Sequence, residues 1–228
     1  MKVYHCSKKI LSVKNNPEQF LKGLTSNDLD KPQNAFLNIH GRIIAVFDQK
    51  KINDDLFLIA VEMDFVQPLL QHISRYLALS KTKVDSRDEK VYFDLVGDYQ
   101  PNQDESVFAQ KQGQLVMTTK EWESNVSDEE FALFRLQHSI PIHGRDYRDE
   151  LLLNVSEEDQ VSFTKGCYLG QEPISKVHNR SRPSWKLMVK YEDECAGEEK
   201  AKMTSKVKEP QSGRVKGFVF VKNETPGV

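Results

Sequence analysis

Leu56–Leu79, LFLIAVEMDFVQPLLQHISRYLAL, sets the fold class by changing its hydrophobic period part-way along. Leu56 to Val61 is an unbroken apolar run of strand length, which predicts a buried strand. From Phe65 the apolar positions Phe65, Val66, Leu69, Leu70, Ile73, Tyr76 and Leu77 recur at steps of three and four. That spacing lines them up along one stripe of a helix. A buried strand followed by one amphipathic helix, with more strand-type runs on either side, predicts an α+β sheet layer.

Upstream, Asn34–Ile39 and Ile43–Phe47 flank His40-Gly41-Arg42 and read as a hairpin, and Asn53-Asp54-Asp55 is the turn before the buried strand. Asn16-Pro17-Glu18 starts a short helix over Gln19–Leu24, which ends in the polar turn Thr25-Ser26-Asn27-Asp28. Downstream, Lys83–Asp85 and Glu89–Val96 return to strand character, and Tyr99–Ser106 reads as loop. Glu129–Gln137 reads as a helix with Ser127 as N-cap and Glu130 at the capping-box position. Glu157-Glu158-Asp159 reads as a solvated loop or helix start, while Trp185–Tyr191 and Gly217–Lys222 read as strands around a charged stretch. The expected division is a domain over residues 1–182, with lobes at 1–85 and 86–182, and a β-unit over 183–228 too small to stand alone.

The formal net charge of −2 argues against a general nucleic-acid binder, which needs a basic excess to neutralise phosphates. No run approaches the roughly 20 apolar residues of a membrane helix. The first residues, MKVYHCSKKILSV, are too polar for a secretory leader. The expectation is a soluble, cytoplasmic protein. Cys6, Cys167 and Cys195 form no CxxC pair, so the sequence offers no zinc knuckle and no complete cluster-binding set, and the thiols are expected to be reduced.

The most unusual local sequence is Phe163-Thr164-Lys165-Gly166-Cys167-Tyr168-Leu169-Gly170-Gln171-Glu172. Its two glycines allow a tight, non-standard backbone around one cysteine and one tyrosine. Lys165 lies two residues from the thiol, and a nearby cation favours the reactive thiolate. Gln171 and Glu172 add an amide and a carboxylate.

Lys-Gly-Cys-Tyr-x-Gly-Gln-Glu resembles the signature of the YgfZ family, folate-binding iron–sulfur cluster maintenance proteins related to the glycine-cleavage aminomethyltransferase. Lys165, Gly166, Cys167, Tyr168, Gly170, Gln171 and Glu172 match all its specified positions. The resemblance extends to Phe20–Asp28, to Ala35-Phe36-Leu37, to Gly41-Arg42-Ile43-Ile44 and to Arg135–Pro141. It implies an aminomethyltransferase-like folate-binding fold, with ferredoxin-like lobes around a central opening and a shortened C-terminal β-barrel or hairpin. It also implies tetrahydrofolate as cofactor and iron–sulfur client enzymes or assembly proteins as partners. The working residues would be Cys167, Lys165 and Tyr168. The candidate folate contacts are Asn27, Arg135, Gln137, Gln171, Glu172 and Arg180, the last within a basic segment, His178–Arg182, suited to a polyglutamate or phosphate tail.

The sequence departs from that pattern in places. Gln137 stands where the family has a glutamate facing the pterin, and an unmatched donor there costs roughly 1–3 kcal/mol, which predicts weakened folate binding. Ser139 replaces a glycine, Lys176 replaces an arginine, and the C-terminal unit is short. Two other functions fit the same residues. One is a folate-dependent aminomethyltransferase or methyltransferase, for which Asp94 and Asp98 are the candidate carboxylates. The other is a binding module that has lost folate. His138 and His143 are not at helical metal-pair spacing, and Trp122 and Trp185 read as packing residues.

Overall fold

The computed structural model describes residues 1–156, 159–180 and 182–223. These form three antiparallel sheets and six α-helices. The expected loop at Glu157-Glu158 lies outside the described residues, and its neighbour Asp159 is exposed.

The first sheet has five strands. Gln33–Leu37 (β3), Ile43–Asn53 (β4), Leu56–Glu62 (β5), Lys8–Lys14 (β2) and Lys83–Ser86 (β6) lie in the order β3-β4-β5-β2-β6. β5 is central, and its apolar run is unbroken because both faces are covered. Phe57, Ile59 and Val61 pack toward Pro17–Leu24 (α1) and Val66–Ser80 (α2), whereas Leu58 and Ala60 pack into a second core. That is the period of two expected of a strand, and each large apolar side chain so buried contributes about 1.5–3 kcal/mol. α2 follows its three- and four-residue rhythm, burying Val66, Leu69 and Ile73 on the sheet.

The second core lies between that sheet and a four-stranded one made of Val3–His5 (β1), Lys90–Asp94 (β7), Gln114–Thr118 (β9) and Ser106–Ala109 (β8), in that order. β1 pairs with β7 through Val3↔Asp94, so the first residues of the chain sit in a sheet whose other strands come from residues 90–118. Asp128–His138 (α3) closes this core through Phe131. Ser127 caps α3 as the sequence predicts, its side chain accepting from the Glu130 N–H at 3.1 Å. α3 ends on Ser139 at φ 53°, where glycine would be unstrained and a side chain costs about 1–2 kcal/mol.

The third sheet, Trp185–Tyr191 (β10), Val215–Lys222 (β12) and Thr204–Lys208 (β11), has three strands, one more than a hairpin. Leu187 and Phe218 of this sheet share one apolar cluster with Leu37, Ile43, Leu136, Tyr168 and Ile174, so the C-terminal unit is packed onto the body. Gly197–Lys202 (α6) is a short exposed turn of helix between β10 and β11. Trp185 departs from its expected packing role: it is 45% exposed, whereas Trp122 packs against Tyr92 and Tyr99. Among the described residues, no helix is long and apolar enough to cross a membrane.

Candidate functional site: a central cavity and an exposed cysteine loop

A cavity of about 600 Å³ lies between the first two sheets, α3 and the loop that follows it. One wall is apolar and aromatic. Tyr4 stacks on Phe131 with ring centroids 4.0 Å apart, and Phe93 lies tilted beside them at 5.3 Å from Phe131. Another part of the lining carries a charge cluster. Lys8 on β2 reaches Asp48 on β4 at 3.1 Å and Glu62 on β5 at 2.8 Å. Burial works against the Lys8 charge, but Asp48 and Glu62 outweigh it and hold the ammonium well above the usual lysine range. Asp48 is completed by the Gln110 and Gln33 amides at 2.8 and 3.1 Å. Gln160, also in the wall, is buried, and its Oε1 has no hydrogen-bond partner among the described residues. Cys6 lines the cavity as a thiol, because burial pushes its pKa up to about 12.

None of the motif residues Lys165–Glu172 lines this cavity. The motif instead closes on the two other segments that the sequence singles out. Lys165 Nζ donates to the carbonyls of Thr25 and Asn27 at 2.7 and 2.8 Å, and the Leu169 N–H donates to the Gly23 carbonyl at 3.0 Å. Gly170 takes φ +83°, and a Cβ there would lie 2.4 Å from the Asn38 carbonyl oxygen. Gly166, by contrast, has open space around it, so only one of the two motif glycines is demanded by its surroundings. At Gly41, φ +73°, an added Cβ would meet the side chains of Pro173 and Ile174 at 3.0 and 3.2 Å.

The working residues therefore divide. Cys167 is exposed. Lys165 is half-buried, 5.2 Å from the Tyr168 ring centre, and burial pulls its pKa down to about 8. Tyr168 is buried in the third core cluster, and burial pushes its hydroxyl up to about 12. Lys165 and Tyr168 thus shape the loop that presents Cys167.

The expected folate contacts do not gather around the cavity. Gln137 is exposed on α3 and is not part of the cavity wall. Arg135 touches the wall, but its guanidinium is turned to Asp146 at 2.7 Å, with both side chains fully buried. Asn27 spends its amide on the carbonyls of Gln33 and Asp159. Gln171, Glu172 and Arg180 lie on Gln171–Arg180 (α5), a helix that the sequence reading did not assign. Arg180 ends that helix, exposed, where a cation suits the helix dipole. His178 stacks on Phe163 at 3.7 Å, and Ser181 of the basic segment lies outside the described residues. Asp94 is buried and bonded to the N–H groups of Val96 and Tyr99 and to Gln114; Asp98 is exposed, and neither lines the cavity.

No family model matches the chain. It is 24% identical over 178 residues to an uncharacterized protein of Haemophilus influenzae, a match covering 72% of this chain and 63% of that protein's length. Its structure is similar to that of the glycine cleavage system aminomethyltransferase T from Bartonella henselae. The TM-score is 0.72 at 13% identity, over 95% of this chain and 77% of that one. The chain has an aminomethyltransferase-like fold. The cavity between the sheets and the exposed cysteine loop are both read from this chain's own residues.

Proposed function

We propose that this chain is a tetrahydrofolate-binding accessory factor for the assembly or repair of iron–sulfur cluster enzymes, with Cys167 as its working thiol. The observation that carries the reading is the separation of the two features. An exposed cysteine on a loop pinned by Lys165 and Gly170 suits a protein partner, and it lies outside the wall of the cavity that would take a small ligand. A cluster held by the partner is then the substrate, and the thiol meets it at the surface.

The cavity fits tetrahydrofolate by size and by chemistry. About 600 Å³ accommodates a fused ring with its side chain, within the range of ordinary ligand sites. The Tyr4, Phe93 and Phe131 wall suits the ring, the Gln160 Oε1, without a partner among the described residues, suits a ring N–H, and Arg145 suits a carboxylate of the glutamate tail. When bound, tetrahydrofolate supplies nitrogens that carry one-carbon units.

Cys167→Ala is expected to abolish support of cluster enzymes in cells depleted of this protein. Its stability should stay within about 0.5 kcal/mol of wild type, as for an ordinary surface substitution. A variant that restores those enzymes as well as wild type sinks the proposal. Calorimetry under anaerobic, reducing conditions tests the folate half. Because Gln137 is outside the cavity wall, Gln137→Glu should leave tetrahydrofolate affinity within about twofold, under 0.5 kcal/mol. A tenfold gain would mean that α3 presents this residue to the ligand after all.

A second reading, a folate-dependent aminomethyltransferase or methyltransferase, draws on the fold likeness. It lacks its expected carboxylates at the cavity, since Asp94 is spent on a turn and Asp98 is exposed. Steady turnover of formaldehyde with tetrahydrofolate by the purified chain would favour it.

A further inference from the structure

A second hollow, an outer cleft of about 460 Å³, lies between β4, the start of α2 and the loop after α3. Ile43, Ile44, Phe65 and Pro68 give it an apolar floor. His143 stands in the wall between this cleft and the central cavity, contributing to both.

His143 is held as a built feature. Its ring stacks on Phe65 at 3.6 Å and 22°, and on Tyr147 at 5.2 Å. The loop that carries it is closed by the Gly144 N–H on the Tyr147 carbonyl, at 2.8 Å, and by the Asp146 carboxylate on the Ile142 N–H. Gly144 lies at φ +91°, and a Cβ there would meet the Phe65 ring at 2.7 Å, so the loop can approach only with glycine. Yet His143 is 4% exposed, and neither ring nitrogen makes a well-formed hydrogen bond among the described residues, although the Arg148 backbone bears on the ring. Nε2 of His72, in the same cleft, is buried and has no hydrogen-bond partner among the described residues either. Phenylalanine would keep the ring stacking at 143 without the penalty of poorly matched buried polar atoms. A ligand that supplies the missing partners accounts for the histidine.

We propose that this cleft is a second ligand site, distinct from the central cavity, for a small heteroaromatic carboxylate. A neutral imidazole offers one donor and one acceptor, and a pyridine-type ring nitrogen accepts from the donor. Burial, with the charges of Lys8 and Arg148 adding and the Arg148 backbone opposing, keeps His143 neutral at physiological pH. The flat apolar floor suits a planar ring. Arg148 lies at the mouth with its guanidinium 5.6 Å from the Phe65 ring centre. Its ion-pair contact with Asp64 is 4.0 Å, too long for a hydrogen bond, which leaves donors for a carboxylate. Asp149, the acid in the cleft, is engaged by Arg42. A guanidinium at the mouth disfavours a metal cation, and no group of three metal-ligating side chains occurs among the described residues.

The test is a titration of the full chain, labelled with ¹⁵N at histidine, with nicotinate, and with benzoate and acetate for comparison. Nicotinate is expected to shift the ring nitrogens of His143 and His72 saturably. Benzoate, which keeps the carboxylate and lacks the ring nitrogen, should bind at least tenfold more weakly, and acetate should not saturate. His143→Phe keeps the ring stack and should lose tenfold or more in nicotinate affinity. Arg148→Gln, an exposed change that leaves the core untouched, should weaken nicotinate and benzoate alike. Saturable binding that is equal for acetate, binding unchanged in both variants, or no saturation by nicotinate with only an ordered water on His143 would each overturn the proposal.

Discussion

Asp146→Ala is expected to cost about 3–5 kcal/mol, the typical penalty for leaving a buried charge without its partner. Asp146 is the node of a joint that ties three parts of the chain together. One carboxylate oxygen accepts from Arg135 Nη1 at 2.7 Å and from the Ile142 N–H at 2.8 Å. The other accepts from the hydroxyls of Thr204 and Ser205 on β11 at 2.9 and 2.5 Å. Without it, Arg135 keeps only the Ile140 carbonyl and the Ser205 hydroxyl, and its Nε already has no partner among the described residues. The reverse deletion is milder. Arg135→Met leaves Asp146 with three donors, so the loss should be about 1–3 kcal/mol. The double variant should then lose less than the sum of the two, because removing both charges removes the unpaired one. Against a total stability of about 5–15 kcal/mol, Asp146→Ala takes a large fraction. It should lower the melting temperature by roughly 10 °C, at about 2–4 °C per kcal/mol for a chain of this size. Proteolysis should also begin in the C-terminal sheet, since β11 loses two of its ties to the body. Urea unfolding of the three variants checks the ranking. If Asp146→Ala melts with wild type, the joint does not hold the C-terminal sheet.

That joint also shows where reading the sequence stops. Arg135 stands in a segment that resembles a ligand-binding motif, and nothing in the local sequence ties it to a carboxylate eleven residues on and a hydroxyl seventy residues on. Leu56–Leu79 is different, because its periods are local and one run of residues dictates both the buried strand and the helix stripe. The Lys8 cluster was equally out of reach. Lys8 faces Glu62 only through the β2–β5 register, and Asp48 joins them from the next strand, so three ordinary charges become a site by pairing alone. α5 did leave a signal. Pro173 lies in its first turn, where a missing N–H is harmless, and Ile174 and Val177 are three apart. The two preceding glycines obscured that signal. β8 and β9 are four and five residues long and carry no extended apolar run.

The motif itself separates into parts, and its two glycines are the cleanest way to show it. Gly170→Ala is expected to destabilise the protein by roughly 2–4 kcal/mol, combining left-handed backbone strain with a steric clash. At φ +83° an L side chain is already disfavoured, and its Cβ would sit 2.4 Å from the Asn38 carbonyl oxygen and 3.0 Å from Leu37 Cβ. Backbone cannot give way as a flexible side chain can, so the loop must lift off the end of β3. That motion would pull Leu169 from the Gly23 carbonyl and Lys165 from Thr25 and Asn27, releasing the segment that presents Cys167. Gly166→Ala is the control one turn away. Nothing lies within 4 Å of its added methyl, and a compatible Gly→Ala change stabilises by about 0.4–1 kcal/mol through the unfolded chain. Melting curves should therefore move in opposite directions for the two variants. The rate at which Cys167 reacts with a disulfide reagent should change for Gly170→Ala and stay at the wild-type value for Gly166→Ala. Equal behaviour of the pair would mean that the contact with Asn38 does not position the cysteine, and that the loop is set by Lys165 alone.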